Sequence, residues 1–172
     1  LVDGLHRAKA IQGLFLSSGV IGHDDDTMAQ IGATGEILRR RYRFRGFLHL
    51  KLMPGASDAA LAAALAVADR VSINLEAPSP MRLARLTGTK DLGRDLLAPL
   101  RKVRDLVART GRAVSRTTQF VVGPAGESDA EILTQTDALY RRLGLSRVYY
   151  SAFRPIADTP MVVTLDQLHP YD

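Results

Sequence analysis

The sequence predicts an α/β fold of roughly five parallel strands with helices between them, arranged either as an open doubly wound sheet or as a partial barrel. Three observations predict it. Short apolar runs and helical segments alternate along the chain with short connectors, a pattern that favours parallel strands joined by right-handed crossovers. No hairpin signal interrupts the series. At 172 residues the chain suits one domain with a substantial core. It is shorter than the roughly 200 residues that a closed eight-fold barrel needs.

The elements follow in order. The opening "LVDGLHRAKAIQG" is amphipathic and has neither a long apolar core nor a small-residue cleavage site. It is therefore read as neither a signal peptide nor a membrane anchor, with the cytoplasm as the default location. "GLFLSS" (13 to 18) is a short apolar strand, and a helix follows from Thr27 to about Arg41, capped by Asp26 or a neighbour. "FLHLKLM" (47 to 53) is the second strand. "SDAALAAALAVADR" (57 to 70) carries a capping Ser or Asp and an Ala/Leu run, the strongest helix signal in the chain. "VSINLEA" (71 to 77) is a third strand, and "SPMRLARL" a short helix with Pro80 in its first turn. A longer helix over 91 to 110 is expected to be interrupted near Pro99. "TTQFVV" (117 to 122), a helix over 128 to 144 ending on Gly144, and "SRVYYSAF" (146 to 153) complete the series.

In either architecture ligands bind at the C-terminal ends of the strands. There the sequence places Ser17, Ser18 and Gly19; Lys51, then Pro54 and Gly55; Asn74 and Glu76; Gly123, Gly126 and Glu127; and Ser151 and Arg154. This set suits a ligand with an amine, hydroxyls and a carboxylate. Singly, each also has an ordinary structural explanation as a turn or cap residue. Lys51 is the hardest to dismiss, because a charge inside an apolar strand is costly unless it is paired or at the strand end. "GPAGESD" (123 to 129) lacks the G-x-G-x-x-G of a dinucleotide fold and the Gly-Lys-Ser/Thr of a phosphate loop. Its glycines leave room for a flat ligand, and Glu-Ser-Asp suits a helix N-terminus.

Charge and composition narrow the function classes. The net charge is +5, and arginine dominates the basic residues, notably in "ILRRRYRFRG" (37 to 46) and "LRKVRDLVARTGRAVSR" (100 to 116). A nucleic-acid surface is one explanation, with Tyr42 and Phe44 between arginines. Arginines serving helix ends are the more ordinary one. With no cysteine, the chain forms no disulfide, thiolate nucleophile or cysteine-ligated metal site. His6, His23, His49 and His169 are too scattered to suggest a metal site, and a surface or core role is expected for each.

"FVVGPAGESDAEI" resembles the fifth-strand Gly-x-x-Gly-Glu motif of radical S-adenosylmethionine (SAM) enzymes, and "SINLEAP" (72 to 78) resembles their fourth-strand ribose motif. "GLFLSSGV" stands where that family presents Gly-Gly-Glu to the methionyl amine, and departs from it. Together with "FLHLKLMPGAS" and "RVYYSAFRPI", the ordered set resembles one subgroup, the DNA modification or repair radical SAM proteins linked to uracil-DNA glycosylase-like partners.

The resemblance implies a partial (β/α) barrel, SAM and a [4Fe–4S] cluster as cofactors, an electron donor, and a 5′-deoxyadenosyl radical as the reactive species. It implies ribose contacts from Asn74 and Glu76, adenosyl support from Gly123, Gly126 and Glu127, and methionyl contacts from Ser17, Ser18 and Gly19. Lys51 and Arg154 are candidates for the SAM carboxylate or the substrate. The family's three-cysteine cluster loop has no counterpart in these 172 residues. The chain is therefore expected to be an internal fragment of one barrel domain, residues 1 to 172, with the first strand and cluster loop upstream and no activity of its own.

Two other function classes stay open at this point. One is a partial-barrel enzyme using Glu76 or Lys51 in acid–base chemistry. The other is a non-catalytic nucleic-acid-binding module built on Arg39 to Arg45.

Overall fold

A computed structural model of the chain describes residues 1–155. Helix α1 (Val2–Arg7) leads into β1 (Gly13–Leu16), α2 (Asp24–Arg40), β2 (Phe47–Lys51), α3 (Asp58–Val67) and β3 (Arg70–Ser72). Then come α4 (Pro80–Leu86), a π-helical segment (Leu92–Leu97), α5 (Ala98–Thr110), β4 (Ser115–Val122), α6 (Asp129–Leu143) and β5 (Arg147–Ala152). His169 and "LHPYD" lie outside the described residues. No helix among the described residues is long and apolar enough to cross a membrane.

The five strands form one sheet in the order β1-β2-β3-β4-β5, and every pair is parallel. Strand order that follows chain order has no reversal point, so successive right-handed crossovers stack their helices on a single face. A doubly wound sheet is thereby ruled out, and the fold is a partial (β/α) barrel. Leu48 and Leu50 of β2, Val71 of β3, Phe120 of β4 and Val148 of β5 supply the covered face. They share a core with Met28 and Ile31 of α2, Leu61 and Leu65 of α3, Leu100 and Val103 of α5, and Ile132 and Leu139 of α6.

Local chemistry explains most boundaries. Ser57 caps α3 by accepting from the Ala60 amide at 3.2 Å, and Ser79 caps α4 by accepting from the Arg82 amide. Ser128 and Glu131 form a reciprocal capping box on α6, and Gly144 ends that helix in the left-handed conformation. Pro99 sits in the first turn of α5, directly after the π-helical segment, and the backbone stays helical through Leu97 and Ala98, so the helix changes winding there rather than breaking as expected.

Two expectations shift. Helix α2 begins at Asp24, its cap position is His23 without a side-chain bond, and Asp26 lies in its first turn. The acids there look outward to the next loop: Asp24 accepts from the Gly55 amide and Asp25 from the Ser57 amide, each at 2.8 Å. The Ser57 amide holds Asp25 below the usual carboxylate range. The third strand spans Arg70–Ser72, short of the expected 71 to 77, and Glu76 beyond it adopts a left-handed φ of 63°. A single bridge to Phe120 ties Glu76 back onto β4.

The arginines are largely structural. Arg39 donates to the carbonyls of Val67, Phe44 and Gly46 and to Asp69. Arg112 donates to carbonyls at the end of α3, Arg104 to that of Arg142, and Arg116 to that of Gly144. The ordinary explanation of the basic segments therefore covers these four. Arg41, Arg43 and Arg45 remain exposed in the α2–β2 connection.

Candidate functional site

Alternation along parallel strands sends every second residue to one face. The register places Phe15 beside His49, His49 beside Arg70, Arg70 beside Ser115, and Ser72 beside Thr117 and Lys51. It continues from Thr117 to Arg147 and from Gln119 to Tyr149. These residues occupy the face that carries no helix. Phe15 is 53% exposed and Phe47 44%, whereas their strand neighbours Leu48 and Leu50 are fully buried.

At the C-terminal end of this face stand Lys51, Asn74, Glu76 and Gln119, each half-buried. None of their side chains makes a hydrogen bond or ion pair among the described residues. Their polar atoms remain open to solvent and so are free to meet a ligand at the strand ends. Ser17 belongs to the same rim, while Ser18 donates its hydroxyl to the Gly19 carbonyl at 2.7 Å. A groove of about 440 Å³ lies beside the rim between the loops after β1 and β2 and the π-helical segment, walled by Val20, Asp24, Pro54, Gly55, Lys90 and Arg94, and none of the rim side chains lines it. Arg154 follows β5 and is exposed.

The turn after β4 is rigidly built. Gly123 has φ 108° and Gly126 φ 65°, conformations that favour glycine. A Cβ on Gly123 would meet nothing within 4 Å, so its surface faces open space. The Glu127 carboxylate accepts from the Gly123 and Ala125 amides and so closes the turn on itself. Arg82 then fastens the turn to two helices, donating to the Ala125 carbonyl at 3.0 Å and through two nitrogens to Glu131 at 3.1 and 2.8 Å. Arg85 donates to the same carbonyl. The hydrogen bond from Arg82, followed by that from the Ser128 amide, holds Glu131 down to about 2. Glu127 thus shapes the strand end, and Gly123 is the part left open.

Below the rim lies a network that the scattered-histidine expectation missed. The His49 ring stacks on Phe15 with centroids 4.4 Å apart, and its Nε2 shares a 2.9 Å hydrogen bond with Ser72 Oγ. Burial, then the nearby cations Arg70 and Lys51, push its pKa down to about 4, so the imidazole is neutral. Arg70 donates to Tyr149 Oη at 3.1 Å and lies 5.0 Å over the Phe47 ring. The signal available in the sequence was the alternation in "FLHLKLM", which puts Phe47, His49 and Lys51 on the face opposite three apolar residues. Gln119, missed as well, carries the same period-two signal in "TTQFVV".

A single helix-covered face, sequential parallel order and a polar C-terminal rim together define the class: a partial (β/α) barrel with a polar strand-end rim. Solved structures share this fold. The FeFe-hydrogenase maturase HydG from Carboxydothermus hydrogenoformans matches 90% of this chain with a TM-score of 0.65 and 15% identity. The radical S-adenosylmethionine methyltransferase TsrM from Kitasatospora setae, solved with cobalamin and a [4Fe–4S] cluster bound, matches 95% with a TM-score of 0.59 and 18% identity. The chain spans 37% and 32% of those proteins, about a third of each. No protein-family model and no curated protein matches it.

Proposed function

We propose that this chain is the SAM-binding part of a radical SAM enzyme. The observation that carries the proposal is the unpartnered rim of Lys51, Asn74 and Glu76, standing at the strand ends of a fold shared with TsrM, itself a radical SAM methyltransferase.

In this assignment Asn74 and Glu76 bind the two ribose hydroxyls: the amide and carboxylate are adjacent on one strand end, and the positive φ at Glu76 turns the backbone there. The open backbone at Gly123, braced by Glu127, Gly126 and Arg82, gives the adenosyl group a flat wall. Ser17, Ser18 and Gly19 approach the methionyl end, and of the two strand-end cations Arg154 is available to its carboxylate and Lys51 to the substrate. SAM held by these residues would supply radical hydrogen-abstraction chemistry once a reduced cluster stood beside it.

The chain's residues do not fit the cluster itself, which is held by cysteine thiolates. There are none in this sequence, so in this proposal the cluster ligands belong to residues outside it. The protein's contribution is orientation and exclusion of water. Nucleic acid, a uracil-DNA glycosylase-like partner and an electron donor belong to the same proposal as substrate and partners.

The test is SAM binding by the full-length protein, measured calorimetrically, with 5′-deoxyadenosine formation under anaerobic reducing conditions as the activity readout. Asn74→Ala and Glu76→Gln are each expected to weaken SAM binding by about 10-fold or more, as expected when a ligand hydroxyl loses its partner. Undiminished SAM binding by both variants would overturn the assignment.

A further inference from the structure

The bare face below the rim has a one-sided charge pattern. From Gly13 to Leu16 and from Phe47 to Lys51, and at the matching positions of β3, β4 and β5, the residues facing that side include Lys51, Arg70 and Arg147. None of the strand residues on that face is Asp or Glu; Glu76 stands on the rim above. Lys51 and Arg70 flank His49 closely enough for both to disfavour its protonation. Arg70 donates to the neutral hydroxyls of Tyr149 and Ser115 and lies over the Phe47 ring, with no carboxylate partner among the described residues. Two other half-buried cations meet carboxylates, Arg39 with Asp69 and Arg82 with Glu131, whereas Arg116 donates to the Gly144 carbonyl.

Cations gathered on a partly desolvated surface without counter-charge repel one another, and such a surface focuses a positive potential that attracts anions. The neutral His49 next to them adds a hydrogen-bonding group without adding charge. The exposed rings of Phe15 and Phe47 border the same patch and shield part of it from water.

We propose that Lys51, Arg70 and His49 form a subsite on the bare face that receives an anionic group of the substrate, a carboxylate or a phosphate monoester. The proposal rests on the SAM assignment for placing the substrate below the rim, and it sets a substrate class that the rim residues leave undetermined.

The experiment titrates the full-length protein with inorganic phosphate and with succinate, at ionic strength held constant with chloride, and follows the His49 ring resonances by NMR. A saturable shift with one or both anions is expected, and the more effective anion identifies the group. Arg70→Met is expected to weaken the response at least 10-fold and Arg70→Lys to restore most of it, while calorimetric SAM binding stays unchanged. Lys51→Met is expected to weaken the anion response as well. No response beyond the chloride control, with SAM binding intact, would overturn the subsite. Loss of response in Arg70→Met together with loss of the native circular dichroism spectrum would be resolved by Lys51→Met, whose unchanged response would also overturn it. Absent SAM binding with a retained anion response would instead defeat the cofactor assignment and leave the anion site standing.

Discussion

Protonating His49 should destabilise the folded chain, and the sign and window follow from its surroundings. Its pKa falls from an ordinary 6.5 to about 4 because burial and the cations Arg70 and Lys51 oppose the imidazolium. The unfolded chain therefore binds a proton that the folded chain refuses between those two values. The stabilisation is complete above about pH 6.5, declines as the pH falls towards 4, and changes no further below that. At full strength such a depression corresponds to about 3 kcal/mol. The ring is half-buried, so screening reduces the expected effect to about 1–2 kcal/mol. Urea denaturation at pH 7.5 and pH 4.5 reads it directly. With a slope of about 2 kcal/mol per molar urea, the midpoint should fall by about 0.5–1 M more in the wild type than in His49→Gln. Equal pH dependence in the two proteins, or a His49 ring that titrates near 6.5 by NMR, would refute the reasoning.

Three further outcomes are expected. Thr117 is 1% exposed and its hydroxyl has no partner among the described residues, so Thr117→Val should raise stability by about 1 kcal/mol and Tm by about 2–4 °C in a thermal melt. Gly35 lies where α2 meets α3, and a Cβ there would stand 2.9 Å from Val67 Cγ2 and 3.4 Å from Leu48 Cδ2. Gly35→Ala should cost about 1–3 kcal/mol by denaturant unfolding, and adding Val67→Ala should recover part of it. Arg39→Met should cost about 2–3 kcal/mol in the same assay, because three carbonyls and Asp69 lose a charged donor; Arg41→Ala, on the exposed side, should cost under about 0.5 kcal/mol.

Features set by near neighbours in sequence were legible. Ser57, Ser128 and Gly144 act on amides or carbonyls within a turn of themselves, so their residue types and positions sufficed. The parallel order was legible too, since alternating strands and helices leave few ways to wind. Features set by distant partners were not. Ser72 is the partner of His49 across 23 positions, and histidines judged by their spacing alone conceal that pair. Asp24 and Asp25 sit at a helix start, where capping is the default expectation, yet their carboxylates serve amides 31 and 32 residues further on. Glu127 stands at the right position for a site residue, but only the folded turn shows that its carboxylate closes on the Gly123 and Ala125 amides. The rim residues could be placed at the strand ends from sequence alone; the floor beneath them required the register.

The strand order carries one more consequence. Because β1 to β5 pair in sequence, each seam in the sheet divides earlier chain from later chain, and no strand is threaded between two others. The exposed stretch from Gly88 to Asp91 lies on the β3–β4 crossover, which crosses one such seam. A backbone cut there would leave two contiguous pieces that share the β3–β4 ladder and the helix packing above it. Reassembly of the two halves needs only edge-to-edge docking, with no segment passed through another. The half ending at the cut would carry Lys51, Asn74 and Glu76, and the other Gln119 and the Gly123 turn, so the rim itself would report whether the halves had rejoined.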